Sequence, residues 1–172
     1  IGPVHRAAIA MNNQAKLVAG SFSHIPSETV QVAKDLGIDT DRAYADFYDM
    51  AVKEGARTEG RIDFVIITVP NHIHFAVAKA FLEQGINVVC EKPMVFTEEE
   101  AKELVALASA HNAEFMVTYT YTGYPMVREA RNLVRTGALG TLRVVAAEYP
   151  QGWLADPIER AGTNRQAVWR TG

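Results

Sequence analysis

Cysteine is almost missing from this chain: Cys90 is the single one among 172 residues. One thiol cannot close an internal disulfide, which fits a reducing compartment, so the expected location is cytoplasmic. Cys90 sits in an apolar run and reads as a buried, inert thiol rather than a nucleophile. No apolar run reaches the ~18 residues of a membrane helix, and no leader pattern opens the chain. No membrane partner is expected. Neither sign of charge dominates, with 17 basic against 20 acidic residues and a net charge of -3. The basic residues are scattered, which excludes a nucleic-acid stripe. Metal-ligand spacing is lacking too. His72 and His74 stand two apart with no Cys or acid cluster to complete a site, so no metal is expected. An initiator methionine is absent before Ile1-Gly2-Pro3, and residues 167–172 carry large apolar groups with no element after them. The chain is therefore read as a fragment.

What is present is ordinary for a globular protein, 48% hydrophobic and 22% charged. The length suits one domain, or one domain and part of another. Helix and strand patterns alternate. Gly2-Pro3 starts a helix with Val4, Ala7, Ala8 and Met11 on its apolar face. Residues 15–21 read as a short buried strand. Pro26-Ser27 opens a helix that Gly37 ends, and residues 46–54 form another. Residues 62–69 are the clearest strand, nearly continuous in apolar side chains, as in a parallel sheet covered on both faces. A helix over 75–84 stops at Gly85. Residues 87–90 are the next strand, leading into the charged turn Glu91-Lys92-Pro93. Thr97 caps a helix over 98–111, with Glu100 completing a capping box. A strand at 115–119 and a helix at 125–135, with Val127, Ala130, Leu133 and Val134 inward, come next. Residues 142–149 read as a strand of a different sheet.

Strands alternating with helices at this spacing predict βαβ units and an α/β, doubly wound parallel sheet. The rhythm changes near Thr122. The expected division is 1–122, a doubly wound domain, and 123–172, the start of a second domain. In such sheets ligands bind beyond the carboxyl ends of the strands. Two adjacent strand ends carry chemistry here: Thr68-Val69-Pro70-Asn71-His72-Ile73-His74, and Glu91-Lys92-Pro93.

These two segments, after Gly2-Pro3-Val4-His5 at a helix entrance, resemble the glucose–fructose oxidoreductase, inositol dehydrogenase and rhizopine-catabolism family (Gfo/Idh/MocA). Gly137-Ala138-Leu139-Gly140 is similar to the turn before that family's first C-domain strand. The resemblance implies a Rossmann domain truncated at its N-terminus, with the first strand and leading glycines expected upstream. It implies NAD or NADP as cofactor, and a sugar, polyol or cyclitol as substrate. It also implies a homo-oligomer, dimer or tetramer. Carried over by position, the cofactor-binding residues would be Gly2, His5, Ser21, Ser23, Thr68, Pro70, Asn71, His74, Glu91, Lys92 and Pro93. Glu91 would meet the nicotinamide-side ribose. Lys92 would be catalytic, binding the substrate hydroxyl and assisting proton transfer, and the peptide before Pro93 is often cis in the family. Tyr119 and Tyr121, with Tyr124, follow the last Rossmann strand. They would either reach substrate or pack between domains, and the family's arginine in this stretch is missing.

The chemistry agrees with that placement. Alcohol oxidation needs a hydride acceptor and a group that takes the hydroxyl proton. The family's Asp-x-x-x-His pair, whose histidine joins the lysine, has no match before Gly172. Ser21 and Ser23 suit either a ribose hydroxyl or a phosphate, so NAD and NADP stay equal. Trp153 and Trp169 are read as domain core or subunit interface. Two readings remain open: an NAD(P)-dependent oxidoreductase acting on CH–OH groups, and a non-catalytic nucleotide- or sugar-binding regulator on the same fold.

Overall fold

A computed structural model describes residues 1–11, 13–150 and 152. By contacts the chain divides into two units, Ile1–Tyr124 and Pro125–Gly172.

The first unit is built on three parallel strands, β1 (Phe64–Ile67), β2 (Asn87–Cys90) and β3 (Phe115–Val117), in the order β1-β2-β3. Ile67 stands level with Cys90, and Cys90 with Val117. Helices α4 (His74–Leu82) and α5 (Glu98–Ala110) make the two crossovers. Parallel neighbours require such crossovers, and each helix must bury an apolar face on the sheet. α4 is apolar almost all round, and His74, Val77, Ala78, Ala80, Phe81 and Leu82 are buried. With Leu104 of α5 it covers the sheet face formed by Ile67, Val88 and Cys90. α3 (Phe47–Gly55) adds Met50 and Ala51 to this core. At the head of α5, Thr97 Oγ1 accepts from Glu100 N at 3.2 Å and Glu100 Oε2 accepts from Thr97 N at 3.3 Å, closing the expected capping box.

Helix α1 (Gly2–Ala10) lies over the opposite face. His5, Ala8 and Ile9 line the hollow against the sheet, so Ala8 of the expected 4, 7, 8, 11 set lies on that side while the rest of the face is turned by one position. Val4 is 71% and Met11 82% exposed. The apolar period was legible, but the rotation of the helix depends on which side chains fit over Ile66 and Val89. α2 (Pro26–Asp35) matches its expected span.

Residues 15–21 do not form the expected strand. They make one parallel bridge, Gly20 with Ala43, through Gly20 N to Arg42 O (3.1 Å) and Tyr44 N to Gly20 O (2.9 Å). A strand needs a ladder, and among the described residues no other strand lies beside this segment. Burial of Ala19 and Gly20 is retained. Strand β3 stops at Val117, before the expected 119, because Tyr119 N turns back to Val117 O.

In the second unit α6 occupies Pro125–Arg135 as expected. Val127 and Val134, expected inward, are exposed, since no second described element of that unit lies on their face. Residues 142–149 are not a strand. Val144 and Val145 are exposed and no described partner pairs with them. Trp153 and Trp169 lie outside the described residues. Among the described residues no helix is long and apolar enough to cross a membrane.

A buried acid locks the loop before α3. Glu54, 0% exposed, accepts from Arg42 Nε at 3.0 Å and from Tyr44 Oη at 2.6 Å. Burial pushes the Glu54 carboxyl up, but the Arg42 and Tyr44 hydrogen bonds outweigh it and leave it below the usual carboxylate range. Burial and the same carboxylate push the Tyr44 hydroxyl up to about 12. A carboxyl lowered on folding stabilises at neutral pH and loses that contribution as pH falls through its folded value. Urea midpoints are therefore expected to drop as pH goes below about 4.3, and Glu54→Gln is expected to flatten that decline. An equal acid slope in both proteins would contradict this.

Candidate functional site

The alternation of side chains along a strand decides what meets at the carboxyl edge of the sheet. Ile66, Val89 and Met116 share one face by register. One pleat further on, Thr68, Glu91 and Thr118 continue that face across the three strands. Glu91 N bonds Ile67 O at 3.0 Å and Thr118 N bonds Cys90 O at 2.9 Å, so the ladder geometry persists to this row. α1 lies over it. A hollow of about 330 Å³ between α1 and the sheet is lined by His5, Ile66, Val89, Met116 and Thr118. A Cβ placed on Gly2 would come 4.0 Å from Thr68 Oγ1, so the first turn of α1 comes close to the end of β1.

Glu91 is tied into this row. Its Oε1 accepts from His5 Nε2 at 2.9 Å, and its Oε2 accepts from Lys92 N at 3.2 Å. Burial raises the Glu91 carboxyl, but the His5 hydrogen bond, the Thr118 hydroxyl and the Lys92 backbone N–H together hold it below the usual range. Thr118 Oγ1 is buried without a partner of good hydrogen-bond geometry. It lies close enough to help lower the Glu91 carboxyl. Behind the row, burial and the Glu91 charge push the buried Cys90 thiol up to about 12.

Lys92 follows on the exposed side, and its peptide with Pro93 is cis. Among the described residues its ammonium makes no ion pair or hydrogen bond. Pro93 O and Val69 O converge on one side chain, His74, through Nδ1 at 2.7 Å and Nε2 at 3.0 Å. His74 is 0% exposed. Both ring nitrogens face carbonyl oxygens, so the ring ties the Val69-Pro70-Asn71 turn to the Lys92-Pro93 turn. Asn71 has no side-chain hydrogen bond among the described residues, and Pro70 is exposed.

The Ser23 hydroxyl donates to Glu28 Oε2 at 2.6 Å and accepts from Ile25 N at 3.1 Å. It thus shapes the first turn of α2, while Thr29 Oγ1 accepts from Phe22 N and Ser23 N beneath it. Ser21, in the same loop, is partly exposed. Tyr119, Tyr121 and Tyr124 lie at and after the end of β3, exposed, with Tyr121 and Tyr124 edge to face at 5.4 Å. The structure thus brings together Gly2, His5, Thr68, Glu91 and Thr118, and it sets the Asn71 and Lys92 turns side by side through His74. Thr118 was missed from sequence, although its parity with Met116 in the strand was a usable signal.

A nicotinamide dinucleotide fits this donor set. A glycine at the first turn of a helix and hydroxyls at the ends of parallel strands form the dinucleotide crevice of an open α/β sheet. Fold and site together define a dinucleotide-binding Rossmann domain of the oxidoreductase type.

Comparison with known proteins takes this further. The Gfo/Idh/MocA model, described as an oxidoreductase family with an NAD-binding Rossmann fold, matches residues 1–119. The chain belongs to that family. It is 35% identical over 156 residues to the uncharacterized oxidoreductase YfiI of Bacillus subtilis, covering 90% of this chain and 39% of that protein. It is 36% identical over 109 residues to the levoglucosan dehydrogenase of Pseudarthrobacter phenanthrenivorans, covering 63% and 26%. The crystal structure of an inositol dehydrogenase homolog complexed with NAD+ from Azotobacter vinelandii superposes with a TM-score of 0.88 at 38% identity, covering 99% of this chain and 43% of that one. The chain spans less than half the length of these relatives.

Proposed function

We propose that this chain is the cofactor-binding part of an NAD(P)-dependent dehydrogenase or reductase that acts on a CH–OH group of a sugar, polyol or cyclitol. The observation that carries this reading is a lysine ammonium, unpaired among the described residues, that follows a row of acid and hydroxyl groups at adjacent strand ends. The levoglucosan and inositol enzymes among the relatives support the substrate class.

The residues that would hold the cofactor are Gly2 at the α1 entrance, Thr68, the Asn71 turn, Glu91 and Thr118. Bound nicotinamide supplies the hydride acceptor or donor. Lys92 binds the substrate oxygen. In oxidation its amine takes the hydroxyl proton as the carbonyl forms; in reduction its ammonium returns that proton to the oxygen. His74 keeps the Lys92 turn against the Asn71 turn. Tyr119 and Tyr121 offer ring faces to a sugar at the mouth of the same edge. A homo-oligomer remains the expected assembly.

Titrating NADH and NADPH fluorescence against the protein tests the cofactor part. Saturable binding is expected. The Glu28 carboxylate held at Ser23 would repel a 2′-phosphate, so NADH should bind more tightly than NADPH. No saturable signal from either would overturn the reading.

A further inference from the structure

Glu91 and Lys92 are neighbours in sequence, yet they are not an ion pair. The carboxylate is committed elsewhere, to His5 of α1 and to the Lys92 backbone N–H. Both partners of the His5–Glu91 bond are largely buried, at 18% and 14% side-chain exposure. His5 reaches Glu91 from 86 positions away in sequence, so only the packing of α1 over the sheet makes this contact. Lys92 projects to the exposed side with no partner among the described residues.

We propose that His5 is a positioning residue that holds the Glu91 carboxylate away from the Lys92 ammonium. A free carboxylate one residue away would attract the ammonium and stabilise its protonated form. Such a pair would keep the proton on the lysine and would also occupy the place of the substrate oxygen. The use of this arrangement in catalysis rests on the proton-transfer reading of Lys92; the arrangement itself does not. The other titratable or charged groups around the two turns are Arg6 on α1, Cys90 on β2 and His74 on α4. Cys90 stays a thiol, and His74 is engaged by two carbonyls. Arg6 points back toward Gly2, where a Cβ would meet its guanidinium nitrogen at 3.3 Å. None of them replaces His5 at the Glu91 oxygen.

The test is the rate at which an amine-reactive reagent labels Lys92 at pH 8, read by mass spectrometry against Lys34, which is exposed on α2. Only the amine form reacts, so the rate follows its population. His5→Ala is expected to slow Lys92 labelling about threefold, the scale of one exposed ion pair. His5→Gln, whose amide N–H reaches about as far as the ring Nε2 that meets Glu91, should retain the original rate. Adding Glu91→Gln to His5→Ala should restore it. Unchanged labelling in His5→Ala, or slowing that Glu91→Gln does not relieve, would overturn the proposal. Thermal unfolding of each variant separates this from general loosening, which would speed the labelling of buried sites rather than slow Lys92. NADH titration of the same proteins reports on the oxidoreductase reading separately, since labelling involves neither cofactor nor substrate.

Discussion

Lys92→Ala, assayed in the complete gene product, should lower kcat for a sugar or cyclitol substrate by about 10²–10⁴, the usual worth of a positioned acid–base group. The KM for the cofactor and its fluorescence titration should change little, because Lys92 is exposed and its side chain anchors nothing in the fold. Lys92→Arg should not rescue the rate. A guanidinium keeps the charge and the reach but does not release its proton in this pH range. This pair of variants separates proton transfer from simple charge attraction. If Lys92→Arg recovered most of the rate, the lysine would be acting only as a cation. If Lys92→Ala kept most of its turnover, the proton would be handled elsewhere. A regulator on the same fold would show saturable nucleotide binding and no turnover in any of these proteins.

The second large effect is expected at His74. His74→Phe keeps an aromatic ring in the space but removes the ring N–H. A neutral imidazole has one N–H, so one of the two carbonyls it faces, Val69 O or Pro93 O, loses its donor. An acceptor that loses its partner costs about 1–3 kcal/mol. For a domain of this size that is a Tm lower by roughly 4–12 °C. His74→Gln, which retains an N–H2 group, should lose less. Activity should fall with either change at temperatures where the fold is intact, because the Lys92 turn loses its tie to the Asn71 turn. An unchanged Tm in His74→Phe would mean that water or a neighbouring donor replaces the ring.

The local signals in the chain were legible because they depend on near neighbours. Pro26 and Gly37 bracket α2, Thr97 and Glu100 close their box, Gly85 ends the α4 segment with φ +64°, and Pro125–Arg135 is helical over its full expected span. The order of β1, β2 and their helices follows from apolar runs and crossover length. Misses arose where a partner distant in sequence decides. Residues 15–21 have the composition of a strand, but composition does not supply a second edge to pair with. Residues 142–149 failed for the same reason. Helix α1 has a clear apolar period, yet its inner face is one residue off, since rotation is set by what lies beneath.

The candidate site divides along the same line. Lys92, Asn71 and Glu91 were identifiable because each follows an apolar strand, and strand ends are where an α/β sheet receives ligands. Their division of labour was not. That His74 turns inward, that Ser23 belongs to α2, and that Thr118 completes a row with Thr68 and Glu91 all depend on register and depth. The sequence by itself determined the alternating strands and helices and the reactive groups at their ends, because periodicity and turn chemistry act over a few residues. Only the tertiary structure decided which of those groups face the crevice and which are held by each other, because hydrogen bonds such as His5 to Glu91 join positions that meet only after the sheet and its helices have packed.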